Sequence, residues 1–107
     1  MPKFMINASY SAEGIKGVLK EGGSGRVAAI EQLASAVGGS VEAVYFAFGG
    51  SDLYAIVDLP DNASAAAIAA AVGATGALSK YETVVLLTAA EIDEAAKKTI
   101  NYRRPGS

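Results

Sequence analysis

The sequence predicts an α+β fold: one four-stranded antiparallel sheet with two helical crossovers and a short C-terminal helix. Three observations point to it. Apolar residues cluster or alternate with period two in four separate stretches, the segments between the first and second and between the third and fourth switch to helical spacing, and glycine-rich or Pro-Asp-Asn punctuation divides them. At 107 residues the chain fits one domain able to close a core without metals or disulfides. That domain is expected over residues 1–100, and the basic, Pro/Gly-terminated stretch 101–107 reads as a tail.

The elements follow in order. From Phe4 to Tyr10 the residues Phe4, Ile6, Ala8 and Tyr10 alternate with Met5, Asn7 and Ser9, which predicts a strand with one apolar face. Ser11 is placed to cap a helix with Glu13 in its first turn and Ile15, Val18 and Leu19 at helical spacing. Glu21-Gly22-Gly23-Ser24-Gly25 interrupts that helix. A second helical piece puts Val27, Ile30, Leu33, Ala34 and Val37 on one face before Gly38-Gly39 ends it. Val41 to Phe48 and Leu53 to Leu59 predict two further strands, joined by Gly49-Gly50-Ser51-Asp52 with hairpin chemistry. Pro60-Asp61-Asn62 opens an alanine-rich helix to about Val72, with Ile68 and Val72 as its larger apolar anchors and Gly73 and Gly76 closing it. A fourth strand runs from about Ser79 to Leu87. Thr88-Ala89-Ala90-Glu91 is a capping box that opens a short helix to about Lys98.

The order βαββαβ, with right-handed crossovers, is the ferredoxin-like double unit, which places both crossover helices on one side of the sheet. The other side has no cover of its own, yet the second strand is apolar on both alternating sets and the third is too, apart from Asp58. Such a face presents on the order of 500 Å² of mixed apolar surface, more than a monomer usually leaves in water. A second copy of the chain is the economical cover, worth roughly 10 kcal/mol or more before association entropy. A homodimer or higher homo-oligomer is therefore expected.

Composition removes several classes of function. Half the residues are apolar and the net charge is −2, so neither disorder nor a nucleic-acid partner is favoured. There is no cysteine, histidine or tryptophan, which excludes thiol nucleophiles, thiolate metal sites and a histidine-ligated haem; no cofactor is expected. No apolar run approaches the roughly 20 residues of a membrane helix, and Met1-Pro2-Lys3 leads directly into a strand, so a cytoplasmic protein without a membrane partner is expected.

Several residues carry a likeness. Lys3-Phe4 and Ala8-Ser9-Tyr10, Gly14, Arg26, Gly38-Gly39, Phe48-Gly49-Gly50-Ser51-Asp52, Ile56 through Asp61, Gly76, Leu87-Thr88 and Glu91 together resemble the GYD-domain family of small bacterial and archaeal proteins. The resemblance covers nearly the whole chain and implies a dimeric α/β barrel, with no settled activity. In the family's Gly-x-Tyr-Asp turn this chain keeps Gly49 and Asp52 but has Ser51 in place of the tyrosine.

Asp58 is the sharpest candidate for chemistry, since it interrupts an apolar strand and faces opposite to Leu53, Ala55, Val57 and Leu59. In an apolar barrel it could serve as a general base. The competing and preferred reading is a strand-end carboxylate, solvated or bonded to a neighbouring loop. Asn7, Ser9, Tyr54 and Asp58 share a face and could line a polar patch that binds a ligand, or could bond one another and trapped water. Tyr10 and Tyr45 are read as packing residues with hydroxyls satisfied at the rim. Gly22 to Arg26 lacks the Lys-Ser/Thr ending of a phosphate loop and is read as a helix kink, and Asp61 and Asn62 as caps.

Three functions of different class are compatible with these residues. The first is a small-molecule-binding or regulatory dimer that holds a small apolar or aromatic ligand. The second is a cofactor-independent enzyme that abstracts a proton from, or oxygenates, a small aromatic substrate in a barrel pocket. The third is a structural assembly protein that packs through a sheet edge.

Overall fold

A computed structural model describes residues 1–107. It contains β1 (Lys3–Tyr10), α1 (Ala12–Glu21), α2 (Gly23–Ala36), β2 (Ser40–Phe46), β3 (Leu53–Asp58), α3 (Asn62–Gly73), β4 (Leu78–Leu86) and α4 (Ala89–Ala96). The sheet is antiparallel with strand order β2-β3-β1-β4, so the two crossovers place β1 and β3 at its centre. This is the ferredoxin-like arrangement.

The central strands alternate as their sequences require. Phe4, Ile6 and Ala8 of β1 and Leu53, Ala55 and Val57 of β3 are buried under the helices, and Leu59 follows them into the core. From α2, Ala34 is buried with Leu33 and Val37 packed around it; from α3, Ala65 and Ile68 are buried with Val72 beside them. The core is thin, with only 11 of 107 residues buried, and Phe4, Val57 and Leu59 are its largest fully enclosed side chains.

The helix termini explain the breaks between elements. Ser11 caps α1 by accepting from the Gly14 amide, and its own hydroxyl lies 3.0 Å from the Gly76 and Ala77 carbonyls, which ties α1 to the loop before β4. Gly22, at φ +85°, turns the chain between α1 and α2, the conformation for which a glycine is needed. Asp61 caps α3 through the Ser64 amide at 2.8 Å, and Thr88 and Glu91 form the reciprocal capping box of α4.

Three expectations need correction. β2 ends at Phe46, and Phe48 lies beyond it fully exposed. A bulge at Glu42, between the pairings Val41↔Val57 and Ala43↔Ile56, breaks the expected alternation: Val41 and Val44 face the helices, whereas Ala43 and Tyr45 face the other side. In α1 no residue is buried, and Ile15 and Leu19 are 39% and 78% exposed. Gly14 is the reason. A Cβ there would strike the Ala77 carbonyl, so α1 docks edge-on through its glycine and not through its apolar row.

The face of the sheet opposite the helices is bare. It carries Met5, Asn7 and Ser9 from β1, Tyr54, Ile56 and Asp58 from β3, Ala43 and Tyr45 from β2, and Lys80, Glu82, Val84 and Leu86 from β4. The C-terminal segment does not cover it, because every residue from Leu87 to Ser107 is exposed. The radius of gyration is 16.8 Å, against about 13 Å for a compact domain of this length, in keeping with an unpacked C-terminal arm.

Candidate functional site

A cavity of about 460 Å³ lies between the sheet and the helices α2 and α3. Its floor is Ile6, Ala8 and Tyr10 of β1 with Leu53, Ala55 and Val57 of β3. Its walls come from Arg26, Ala29, Ile30, Leu33 and Ala34 of α2 and from Ile68, Ala71 and Val72 of α3, and Thr75, Ala77, Leu78 and Tyr81 close one end. The cause is local sequence. Alanines stand on both walls and on the floor where larger residues would have met, so the helices span a gap that their side chains do not fill. Of 20 lining residues, 17 are hydrophobic, and the size falls within the roughly 300–1,000 Å³ range of small-molecule sites.

Polar groups in the cavity are few and concentrated. Tyr10 and Tyr81 stand on adjacent strands, two residue pairs apart in the β1–β4 ladder across a register shift; both phenolic oxygens are buried, that of Tyr10 without a hydrogen-bond partner and that of Tyr81 with the Thr83 side chain beside it. Burial pushes both phenols above the usual tyrosine range, and for Tyr10 the Arg26 charge partly offsets that rise. Both hydroxyls are therefore neutral near pH 7 and able to donate.

Arg26 borders the cavity at the start of α2. Its Nε lies 3.5 Å from Glu21 Oε1, across the Gly22 turn. A shallower depression of about 270 Å³, lined by Glu13, Gly14, Gly17, Val18, Glu21 and Gly76, shares Arg26, Thr75 and Ala77 with the main cavity. These three residues separate a polar vestibule from an apolar interior. The glycine run Gly22 to Arg26 thus works as a kink that swings Arg26 to the mouth.

The four residues singled out from the sequence occupy the other face of the sheet. Asn7 and Tyr54 are cross-strand partners, Ser9 Oγ lies 3.4 Å from the Gly50 carbonyl, and Asp58 accepts from Lys3 Nζ at 2.9 and 3.2 Å. Lys3 also reaches Glu42, which the β2 bulge brings to the same end. None of the four lines the sheet–helix cavity, because period-two alternation turns them away from it. Asp58 is paired with an ammonium and not with a loop amide. The Asn7 Oδ1 is buried and unpartnered, so that face holds one unsatisfied acceptor among its apolar groups.

Two tyrosines change role. Tyr10, read as a packing residue with a satisfied hydroxyl, has an orphaned one, and Tyr45 is 72% exposed on the bare face. Tyr81 and Arg26 had no role as cavity residues in the sequence reading. For Tyr81 the available signal was its phase with Thr83 and Val85, opposite the inward Ala8, Ile6 and Phe4, which puts it on the helix side of β4. Ser51 is buried at 2% exposure, its Oγ accepting from Lys80 Nζ at 3.1 Å, while Asp52 accepts the Tyr10 main-chain N–H at 3.0 Å and so latches the β2–β3 turn to the end of β1.

Orphaned hydroxyls in an apolar cavity carry a stability cost, and its removal is measurable. Tyr10→Phe is expected to stabilise the ligand-free chain by about 1 kcal/mol in urea unfolding, since it deletes an unsatisfied buried group, and Tyr81→Phe by less, since it also removes a contact with the Thr83 side chain. They are also expected to flatten the alkaline limb. Below pH about 10 both phenols are neutral in either state; above it the unfolded chain ionises first, so stability falls as pH rises toward the folded values. Lys3, raised by its bonds to Glu42 and Asp58, acts in the same direction: its contribution is present below pH 10.5 and lost as pH rises through the folded value. A Tyr10→Phe chain no more stable than the parent would show that this hydroxyl is satisfied.

The fold and cavity define a ferredoxin-like α+β domain with a partly open apolar site under its crossover helices. The family model of the GYD domain matches residues 4–96, and the chain belongs to the GYD-domain family. No curated protein and no solved structure is significantly similar to it. No helix is long and apolar enough to cross a membrane.

Proposed function

We propose that this chain is a small-molecule-binding homodimer that holds a small, mainly apolar or aromatic ligand in the sheet–helix cavity. The observation that carries the reading is the space itself, about 460 Å³ between sheet and helices with 17 of its 20 lining residues hydrophobic. Apolar burial would supply most of the affinity.

The partner is a second copy laid on the bare sheet face. Supporting this are the exposed Tyr45, Tyr54 and Val84 on that face, the unsatisfied Asn7 oxygen and the thin core of the single chain. The C-terminal arm adds Leu87, Ile92, Ile100 and Tyr102, each more than half exposed, as apolar anchors for the same partner. Asn7, Ser9, Tyr54 and Asp58 would then lie between the two sheets, inside the barrel.

Titration with the neutral fluorophore 2-acetonaphthone tests the cavity. Saturable binding is expected, with emission shifted toward that of an apolar solvent. Substituting Ala71→Leu, which fills the α3 wall, is expected to weaken it by about tenfold or more through lost room. Binding that is unsaturable, or indifferent to that substitution, would contradict the reading.

A further inference from the structure

We propose that the C-terminal arm is exchanged between copies: α4 packs on the second chain through Ile92, and the basic segment 97–104 pairs with the partner's Glu42 and the partner's Asp58. The proposal rests on the homodimer reading above and adds the contact that locks the two chains together.

The helix supplies the first argument. α4 has eight residues, all exposed, and none is buried against the domain it follows. A free helix of that length is marginal in water, and the Thr88–Glu91 capping box offsets only part of the nucleation cost. Its sequence is nevertheless two-sided. Helical spacing puts Ala89, Ile92, Ala95 and Ala96 on one side and Glu91, Asp93 and Glu94 on the other. An amphipathic helix with nothing of its own chain under the apolar side finds its contact outside that chain. Ile100 and Tyr102, also exposed, extend the apolar row into the arm.

Charge identifies the contact as another copy. All 11 acidic residues lie within residues 1–96 together with five Lys and Arg, whereas residues 97–107 carry the other four, Lys97, Lys98, Arg103 and Arg104, and no acid. None of these four is ion-paired within the chain. The body holds the complement. Lys16, Arg26 and Lys80 each face one carboxylate, but Lys3 is shared by two, Glu42 and Asp58. That cluster is partly exposed and lies at one end of the bare face, where the second copy is laid. A cation delivered by the opposite chain neutralises the surplus, and two-fold symmetry makes the contact twice.

The arm is long enough. At about 3.3 Å per residue, the extended segment 97–104 spans about 26 Å, and four strands spaced by about 4.8 Å are about 15 Å across. It leaves from β4, one edge of the sheet, and reaches across a facing sheet from either edge.

The chain has no cysteine, so introduced ones report the contact directly. Ser40 is opposite Asp58 in the β2–β3 ladder, and Asn101 lies between Ile100 and Tyr102; both are exposed. Full-length Ser40→Cys and Asn101→Cys chains, mixed, equilibrated and oxidised, are expected to give a linked two-chain product that neither gives alone. Replacing Lys97, Lys98, Arg103 and Arg104 together by Gln is expected to raise the dimer dissociation constant by about tenfold and to remove most of its dependence on NaCl between about 50 and 500 mM. Glu42→Gln should give part of that loss, and should cost nothing more when added to the neutral arm. A parent dimer indifferent to salt and to the neutral arm, with no linked product from the mixture, would overturn the exchange and leave the dimer reading in place. Retention of the parent, but not of the neutral-arm chain, on heparin would then assign the four cations to an external polyanion. A parent that sediments as one chain would remove the exchange and the dimer reading together.

Discussion

Gly39→Ala is expected to destabilise the domain by about 3 kcal/mol or more, which approaches the whole stability of a marginal small domain. Gly39 lies where the end of α2 passes over the end of β3. A Cβ there would strike the Asp58 carbonyl and come within 2.8 Å of Leu59 Cδ2 and 3.3 Å of the Ala34 carbonyl. Two of these are main-chain atoms of packed elements, and Leu59 is fully buried, so none can yield cheaply. The same approach lets the Gly39 N–H reach the Ala34 carbonyl at 2.8 Å and close α2. Relief of the clash would lift α2 from β3 and open one wall of the cavity, so ligand affinity should fall together with the urea midpoint. Gly49→Ala, with nothing within 4 Å of the added methyl, is the matched control and should cost little. A Gly39→Ala chain as stable as the parent would show that the α2–β3 crossing is looser than described.

Tyr54→Glu is expected to convert a two-chain particle into a one-chain particle at micromolar concentration. Tyr54 lies on β3 with Asn7 and Tyr45 as its cross-strand partners, at the middle of the bare face, and is 37% exposed in the single chain. A carboxylate at that exposed position costs a monomer little. Between two apolar sheets it would be an unpaired buried charge in each copy, a penalty of several kcal/mol that corresponds to a rise of more than about 100-fold in the dissociation constant. Sedimentation velocity reads the outcome against the chain mass of 10.8 kDa, and far-ultraviolet circular dichroism confirms that the variant is folded. An unchanged two-chain mass for Tyr54→Glu would place the contact elsewhere, and a single-chain mass for the parent would remove the partner altogether.

The architecture was legible in the residues wherever burial differed sharply between the two sides of an element. β3 is the clearest case. Leu53, Ala55 and Val57 are buried and Tyr54 is exposed, and Asp58 marks the outer side as the sequence required. In α2 the predicted row of Val27, Ile30, Leu33, Ala34 and Val37 is the inward one. β2 was harder because both alternating sets are apolar, so nothing in the pattern could reveal the extra residue at Glu42 that shifts one set against the other. α1 misled for the opposite reason: its apolar row is real, but Gly14 against the Ala77 carbonyl fixes the docking angle.

The site was less legible than the fold, because a cavity is made by what is missing. Polar residues in a strand attract notice, which is why Asn7, Ser9, Tyr54 and Asp58 stood out; they mark the bare face. The space depends on Ala8, Ala29, Ala55 and Ala71 meeting across a gap, and each reads by itself as an ordinary small core or helix residue. Tyr10 likewise reads as packing, and only the structure shows that its hydroxyl is buried without a partner.

The most direct test is an experimental structure of the protein purified without stripping bound molecules, inspected between the sheet and helices α2 and α3. The account predicts an open space beside Ala8, Ala55 and Ala71 that holds a small molecule. Helices settled onto the sheet with no void between them would contradict it.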